Sequence, residues 1–133
     1  MTKTLLTIFT LVFTVMFSST SFAGWTKVGE SLDGNTFYVD YERIRKHGGY
    51  TYWWTLLDFL KPSQGWLSLQ NYHQGDCNLI RWKLLSSIHY EQPMGGGTGD
   101  VSKPIRENAN WQYFAPNSVS EGVLKSVCNH IGE

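Results

Sequence analysis

Residues 79–90, LIRWKLLSSIHY, decide how this chain folds. One alternate set is Ile80, Trp82, Leu84, Ser86, Ile88 and Tyr90, and the other is Leu79, Arg81, Lys83, Leu85, Ser87 and His89. A period of two with one apolar and one mostly polar face describes a half-buried strand in an antiparallel sheet. Working outward, residues 66–72 and 50–60 read as a second strand pair around the 61–65 turn, where Pro62 and Gly65 break the pattern. Further upstream, residues 25–30 and 35–40 flank Asp33-Gly34-Asn35, a hairpin signal. Residues 41–46 read as a short helical turn capped by the carboxylate of Asp40. Downstream come the glycine-rich loop 93–100, a polar stretch without period to Asn110, and a short strand at 111–114.

The chain ends in a helix. Ser118 and Glu121 have capping-box spacing, Pro116 precedes them, and Val119, Val123, Leu124, Val127, Cys128 and Ile131 recur on one stripe. Strands first and a packed helix last predict an α+β domain: an antiparallel sheet of about six strands with the C-terminal helix on one face. Residues 24–133 form that single domain.

Residues 1–23 read as a secretory signal peptide. Lys3 opens it, an apolar run follows from Leu5 to Phe17, and Ser21-Phe22-Ala23 supplies a cleavage site between Ala23 and Gly24. The run is shorter than the roughly 20 apolar residues of a spanning helix, and a lipid anchor needs a cysteine where Gly24 stands. The expectation is an exported protein without a stable membrane anchor, in the periplasm first, with the outer surface or the medium as further destinations. In such an oxidising compartment, Cys77 and Cys128, the only two cysteines, are expected to form one disulfide that clamps the helix to the strand entrance.

Composition excludes several classes of function. Of 11 Lys+Arg and 11 Asp+Glu, cleavage removes Lys3, so the mature chain carries 10 − 11 = −1. That balance offers no basic stripe for nucleic acid. The loop from Met94 through Gly95 to Gly99 lacks the Gly-Lys-Ser/Thr ending of a phosphate loop and leads into no helix, so it reads as a turn. His47, His73, His89 and His130 share no ligand spacing, and the cysteines stand too far apart for a redox pair. Asp76 lacks a nucleophile or acid–base partner and is expected to bond nearby amides at the strand entrance. No catalytic, cofactor or metal site is expected.

The aromatic strand carries the functional hint. Tyr52, Trp54 and Leu56 lie on one alternate set, and Trp53, Leu57 and Phe59 on the other. A strand apolar on both sides needs cover on both, and one helix covers one. Either the 94–110 loop roofs the second face, or Tyr52, Trp53 and Trp54 include an interface for a protein partner or a second copy.

Tyr38-Val39-Asp40, Ile44-Arg45, Trp54, Tyr72, Asp76-Cys77, Arg81, Leu84, Tyr90, Pro93-Met94-Gly95, Trp111, Tyr113, Pro116, Ser118, Leu124 and Cys128 together resemble the surface-adhesin protein E family of Gram-negative bacteria. The resemblance implies antiparallel strands, a C-terminal helix and a disulfide mapped onto Cys77 and Cys128. It also implies binding of a host-matrix or cell-envelope protein rather than catalysis. A periplasmic inhibitor or accessory protein of envelope enzymes is the alternative reading.

Overall fold

A computed structural model describes residues 24–102 and 110–131. The expected signal peptide and the 103–109 part of the polar stretch lie outside these residues. The elements are β1 (Trp25–Glu30), β2 (Thr36–Asp40), a 3-10 turn (Tyr41–Arg43), β3 (Arg45–His47), β4 (Tyr50–Ser63), β5 (Trp66–Asp76), β6 (Arg81–Tyr90), a second 3-10 turn (Pro93–Gly95), β7 (Asp100–Ser102), β8 (Gln112–Tyr113) and the helix α1 (Val119–Ile131).

Among the described residues the sheet is antiparallel and has eight strands, the expected six and two short additions. Its order is β1-β2-β4-β5-β6-β7, with β3 on β4 beyond the end of β2 and β8 on β6 beyond the end of β7. The two additional strands, β3 and β7, have three exposed residues each. Nothing apolar alternates in them, so periodicity could not announce them. They exist because long neighbours offer ladder groups that would otherwise lack partners: β3 pairs residues 50–52 of β4, and β7 pairs residues 87–89 of β6. The expected helical turn at 41–46 is accordingly shorter. Asp40 caps it by accepting from the Glu42 amide at 3.1 Å, and Arg45 already belongs to a strand.

One register feature overturns the reading of β6. Tyr72 faces Ser86 whereas His73 faces Leu84, so Leu85 is an extra residue, a β-bulge. Trp82 and Leu84 therefore share the face of Gly75 and His73, while Ser86, Ile88 and Tyr90 share the face of Tyr72, Gln70 and Ser68. The apolar set taken as one face is split across two.

The core lies on the first of these faces. Val39, Trp53 and Trp82 from the strands join Val123, Leu124 and Val127 from α1 in one buried cluster, with Val28, Phe37, Phe114, Val119 and Cys128 packed around it. A Cβ on Gly75 would stand 2.8 Å from Trp53 Cη2 and 3.0 Å from Leu124 Cδ1, so the missing side chain admits the indole. The Trp53 indole N–H donates to Thr55 Oγ1 at 3.0 Å and that of Trp82 to Gln112 Oε1 at 3.0 Å. Both buried donors are thus satisfied.

Ser118 Oγ accepts from the Glu121 amide at 3.2 Å, the forward half of the capping box. The reverse half differs: Glu121 Oε1 accepts from Asn117, because the Ser118 amide already donates to the Ala115 carbonyl at 3.2 Å. The Cys77–Cys128 disulfide is formed, with a Cα–Cα distance of 5.9 Å. Asp76 steadies the tight turn beside it. Its Oδ1 accepts from Asn78 and Leu79, and Oδ2 from Arg81 Nε at 3.0 Å.

Candidate aromatic and cationic binding face

Alternation on β4 sorts the three residues expected at an interface. Trp53 is fully buried, its ring 5.2 Å from His73 and 5.8 Å from Trp82. It is therefore a core residue and presents nothing to a partner, a correction with a simple cause: odd-numbered residues of β4 face the core. Tyr52 and Trp54 point the other way and are half-buried.

The cross-strand ladder collects further rings beside them. Tyr72 lies opposite Trp54, their ring centres 4.9 Å apart, and stacks on Tyr52 at 6.1 Å. Tyr50 meets Trp111 at 5.3 Å. Cations stand between these rings. Arg43 places its guanidinium carbon 5.4 Å from the Trp25 ring and 5.7 Å from Trp54. Across the sheet, Arg81 lies 4.2 Å over Trp111 and 5.9 Å from Tyr113, and Lys83 Nζ lies 4.7 Å over Trp111. Each arrangement satisfies the attraction of a cation for the negative face of a π system.

Two buried carboxylates hold the arginines in place. Asp40 accepts from Arg43 Nε at 2.6 Å, and Asp76 anchors Arg81, whose other arm donates to the Tyr113 hydroxyl at 3.1 Å. Burial pulls the Asp76 pKa upward, but bonds from the Leu79 and Asn78 amides and from Arg81 outweigh it and leave the carboxyl below its ordinary value. These bonds hold both guanidinium groups beside the rings. Arg45 and His47 of β3, opposite Tyr52 and Tyr50, are exposed.

The second face is roofed at one end only by described residues. There the Gly95 amide donates to Ser68 Oγ at 2.8 Å, the Met94 amide donates to Asp58 Oδ1 at 2.8 Å, and Ser68 Oγ–H donates to the Gln92 carbonyl at 2.6 Å. A Cβ on Gly99 would stand 2.8 Å from Tyr90 Cε1, so that glycine lets the loop lie directly on the ring. The amides of Met94 and Gly95 are thus committed to the sheet and do not form an anion cradle. The roof reaches Leu56 and Tyr90, whereas Tyr50, Tyr52, Trp54, Tyr72 and Trp111 lie toward the opposite end.

The histidines are scattered: His47 on β3, His73 in the core, His89 on β6, and His130 against Tyr41 at 4.8 Å. Among the described residues no group of three or more His, Cys, Asp or Glu is placed to hold a metal ion, and no helix is long and apolar enough to cross a membrane. Sequence reasoning singled out Tyr52 and Trp54 but missed Arg43, Tyr72, Lys83 and Trp111 as their neighbours. Arg43, Tyr72 and Lys83 fall on outward positions of their turn or strand and Trp111 just before β8, a signal that becomes usable only once the register is known.

The sequence profile described as Surface-adhesin protein E matches residues 25–129. Among solved structures, crystal form II of Haemophilus influenzae protein E is similar with a TM-score of 0.63 at 13% identity, over 84% of this chain and 91% of that one. Protein E from non-typeable Haemophilus influenzae gives 0.58 at 13% identity, over 83% of this chain and 78% of that one. Likeness at this identity is a likeness of fold. No curated protein sequence matches.

Proposed function

The chain belongs to the surface-adhesin protein E family, and from that premise we propose that it is an exported, non-enzymatic protein that binds a partner protein through the second face of its sheet. Tyr52 and Trp54 are the anchors. The observation that carries this reading is the band of half-buried rings, interleaved with cations, on the side of the sheet away from the core. Tryptophan, tyrosine and arginine are the residues that most often dominate protein interfaces. Among the described residues, the helix closes the first face, the loop roofs one end of the second, and nothing covers the band. Export follows from the leader at residues 1–23, cut between Ala23 and Gly24, and the partner is a host-matrix or cell-envelope protein.

Two measurements test it. Protease shaving of intact cells, with a periplasmic control protein, shows whether the chain meets the outside: digestion points to a host partner and survival to an envelope one. Attachment of the purified protein to immobilised matrix proteins or to isolated envelope is then compared with Trp54→Ala. The variant is expected to melt cooperatively and to lose attachment. A folded variant that attaches as well as the wild type defeats the assignment of this face.

A further inference from the structure

We infer that the second sheet face takes an acidic polysaccharide, its sugar rings lying on Tyr52, Trp54 and Tyr72 and its carboxylate or sulfate groups meeting Arg43, Arg45 and Lys83. The inference rests on the reading of that face as the binding surface and names what it grips on the host-matrix or envelope partner, an acidic polysaccharide chain which that partner carries.

Charge supplies the first argument. Arg43, Arg45, Arg81 and Lys83 stand on this face, all exposed or half-buried, whereas Asp40 and Asp76 are buried beneath two of them. Asp58 is bonded to the Met94 amide under the roof, and at the β1 edge Lys27 and Glu30 pair with each other. Glu42, in the turn beside Arg43, is the exposed carboxylate nearest the band in sequence. The chain as a whole is balanced at 11 against 11, so the positive excess here is local. It complements a polyanion, whose binding would also release counterions.

The shape of the surface supplies the second. Tyr52 and Tyr72 lie 6.1 Å apart and Trp54 and Tyr72 4.9 Å apart, all three half-buried, so the neighbouring rings form one contiguous aromatic patch. A ring face carries negative charge density and attracts positively polarised C–H groups. Pyranose rings present such C–H groups on their faces and polar or charged groups around their rims. The aromatic patch and its flanking cations match both features. An acidic peptide fits less well, because an extended peptide gains most by adding to a sheet edge, where backbone groups await partners. A cavity of about 380 Å³ between Asp33, Asn35, Phe59, Leu60, Lys61 and Ser63 lies away from the band.

The test is calorimetric titration of the purified protein with a sulfated heparin dodecasaccharide, neutral dextran and poly-L-glutamate, with tryptophan fluorescence as second readout. The expected result is binding of the heparin fragment that weakens with salt and alters tryptophan emission, with no binding of dextran. Trp54→Ala and the pair Arg45→Gln, Lys83→Gln should each weaken it by about tenfold or more, and Lys125→Gln, on the exposed side of α1, should not. Thermal melts establish that each variant is folded. Failure of wild type to bind the heparin fragment overturns the inference, as does binding indifferent to Trp54. Poly-L-glutamate bound in preference, and lost in Trp54→Ala, keeps the face as the binding surface but replaces the polysaccharide by an acidic polypeptide. If Trp54→Ala loses attachment to immobilised protein while no polyanion binds, the proposed function stands and the polysaccharide falls.

Discussion

His73 is a titratable residue buried in the core. Its ring is sandwiched, 4.1 Å from Trp82 and 5.2 Å from Trp53, and its Nδ1 has no hydrogen-bond partner among the described residues. Burial pushes its pKa from 6.5 down to about 3. The folded state thus holds the neutral ring while the unfolded state takes up a proton below about pH 6.5. Stability from this residue is complete above that pH and falls as pH drops toward 3, by about 3 kcal/mol between pH 7 and pH 4 on the linkage relation. Urea denaturation at the two pH values should show that slope in wild type and its loss in His73→Phe. Asp76, held below its ordinary pKa of 3.8, adds to acid sensitivity in the same direction but only at lower pH. The adjacent tryptophans make a complementary pair of predictions. Trp53→Ala should cost about 3 to 5 kcal/mol, the usual result of emptying a large buried site, whereas Trp54→Ala should cost far less. Equal losses in denaturant melts would contradict the division of β4 into a core side and a binding side.

At the scale of elements, close approach matters more than propensity. β5 passes directly beneath the Trp53 ring because Gly75 has no Cβ, and Gly75→Ala should cost about 1 to 3 kcal/mol through overpacking. A double variant with Trp53→Leu should recover part of that loss, and equal melting of all three proteins would remove the contact from the account. α1 begins at a working cap, so Ser118→Ala should lower stability by about 1 kcal/mol. β6 illustrates how an element misleads when read in isolation. Its uninterrupted alternation from Ile80 to Tyr90 fits one amphipathic face, yet the bulge at Leu85 turns Ile88 and Tyr90 to the roof side and leaves Trp82 in the core. A bulge costs one residue of register and needs no sequence mark where both sides of the strand are covered.

For the molecule as a whole, the disulfide joins the β5–β6 turn to the last helix across 51 residues of sequence. On the chain-entropy estimate it contributes about 4 kcal/mol. Reduction, or Cys128→Ser, should therefore lower the thermal midpoint markedly, and identical melting curves with and without reductant would deny the bond a stabilising role. The same bond ties the turn stapled by Asp76 to the core, and through Arg81 that turn reaches the Trp111 end of the aromatic band. Fold stability and the binding face thus share one corner of the molecule.

Much of this was legible from residues alone. Antiparallel strands, the terminal helix and its stripe, the Asp40 and Ser118 caps and the pairing of the two cysteines follow from local rules: period, punctuation and the count of thiols. Two aromatic sets on one strand also announced that both faces of the sheet carry apolar side chains. Which set becomes core could not be read, because Trp53 and Trp54 differ by a single position and only the pairing of β4 with Gly75 and His73 on β5 breaks the tie. Nor could the band itself be read. Trp25, Arg43, Trp54, Tyr72, Lys83 and Trp111 are distant in sequence and become neighbours only when strand register, including an extra Leu85, brings their outward positions side by side. Local chemistry determined the long strands and the helix; long-range pairing added β3 and β7 and decided what the elements present to a partner.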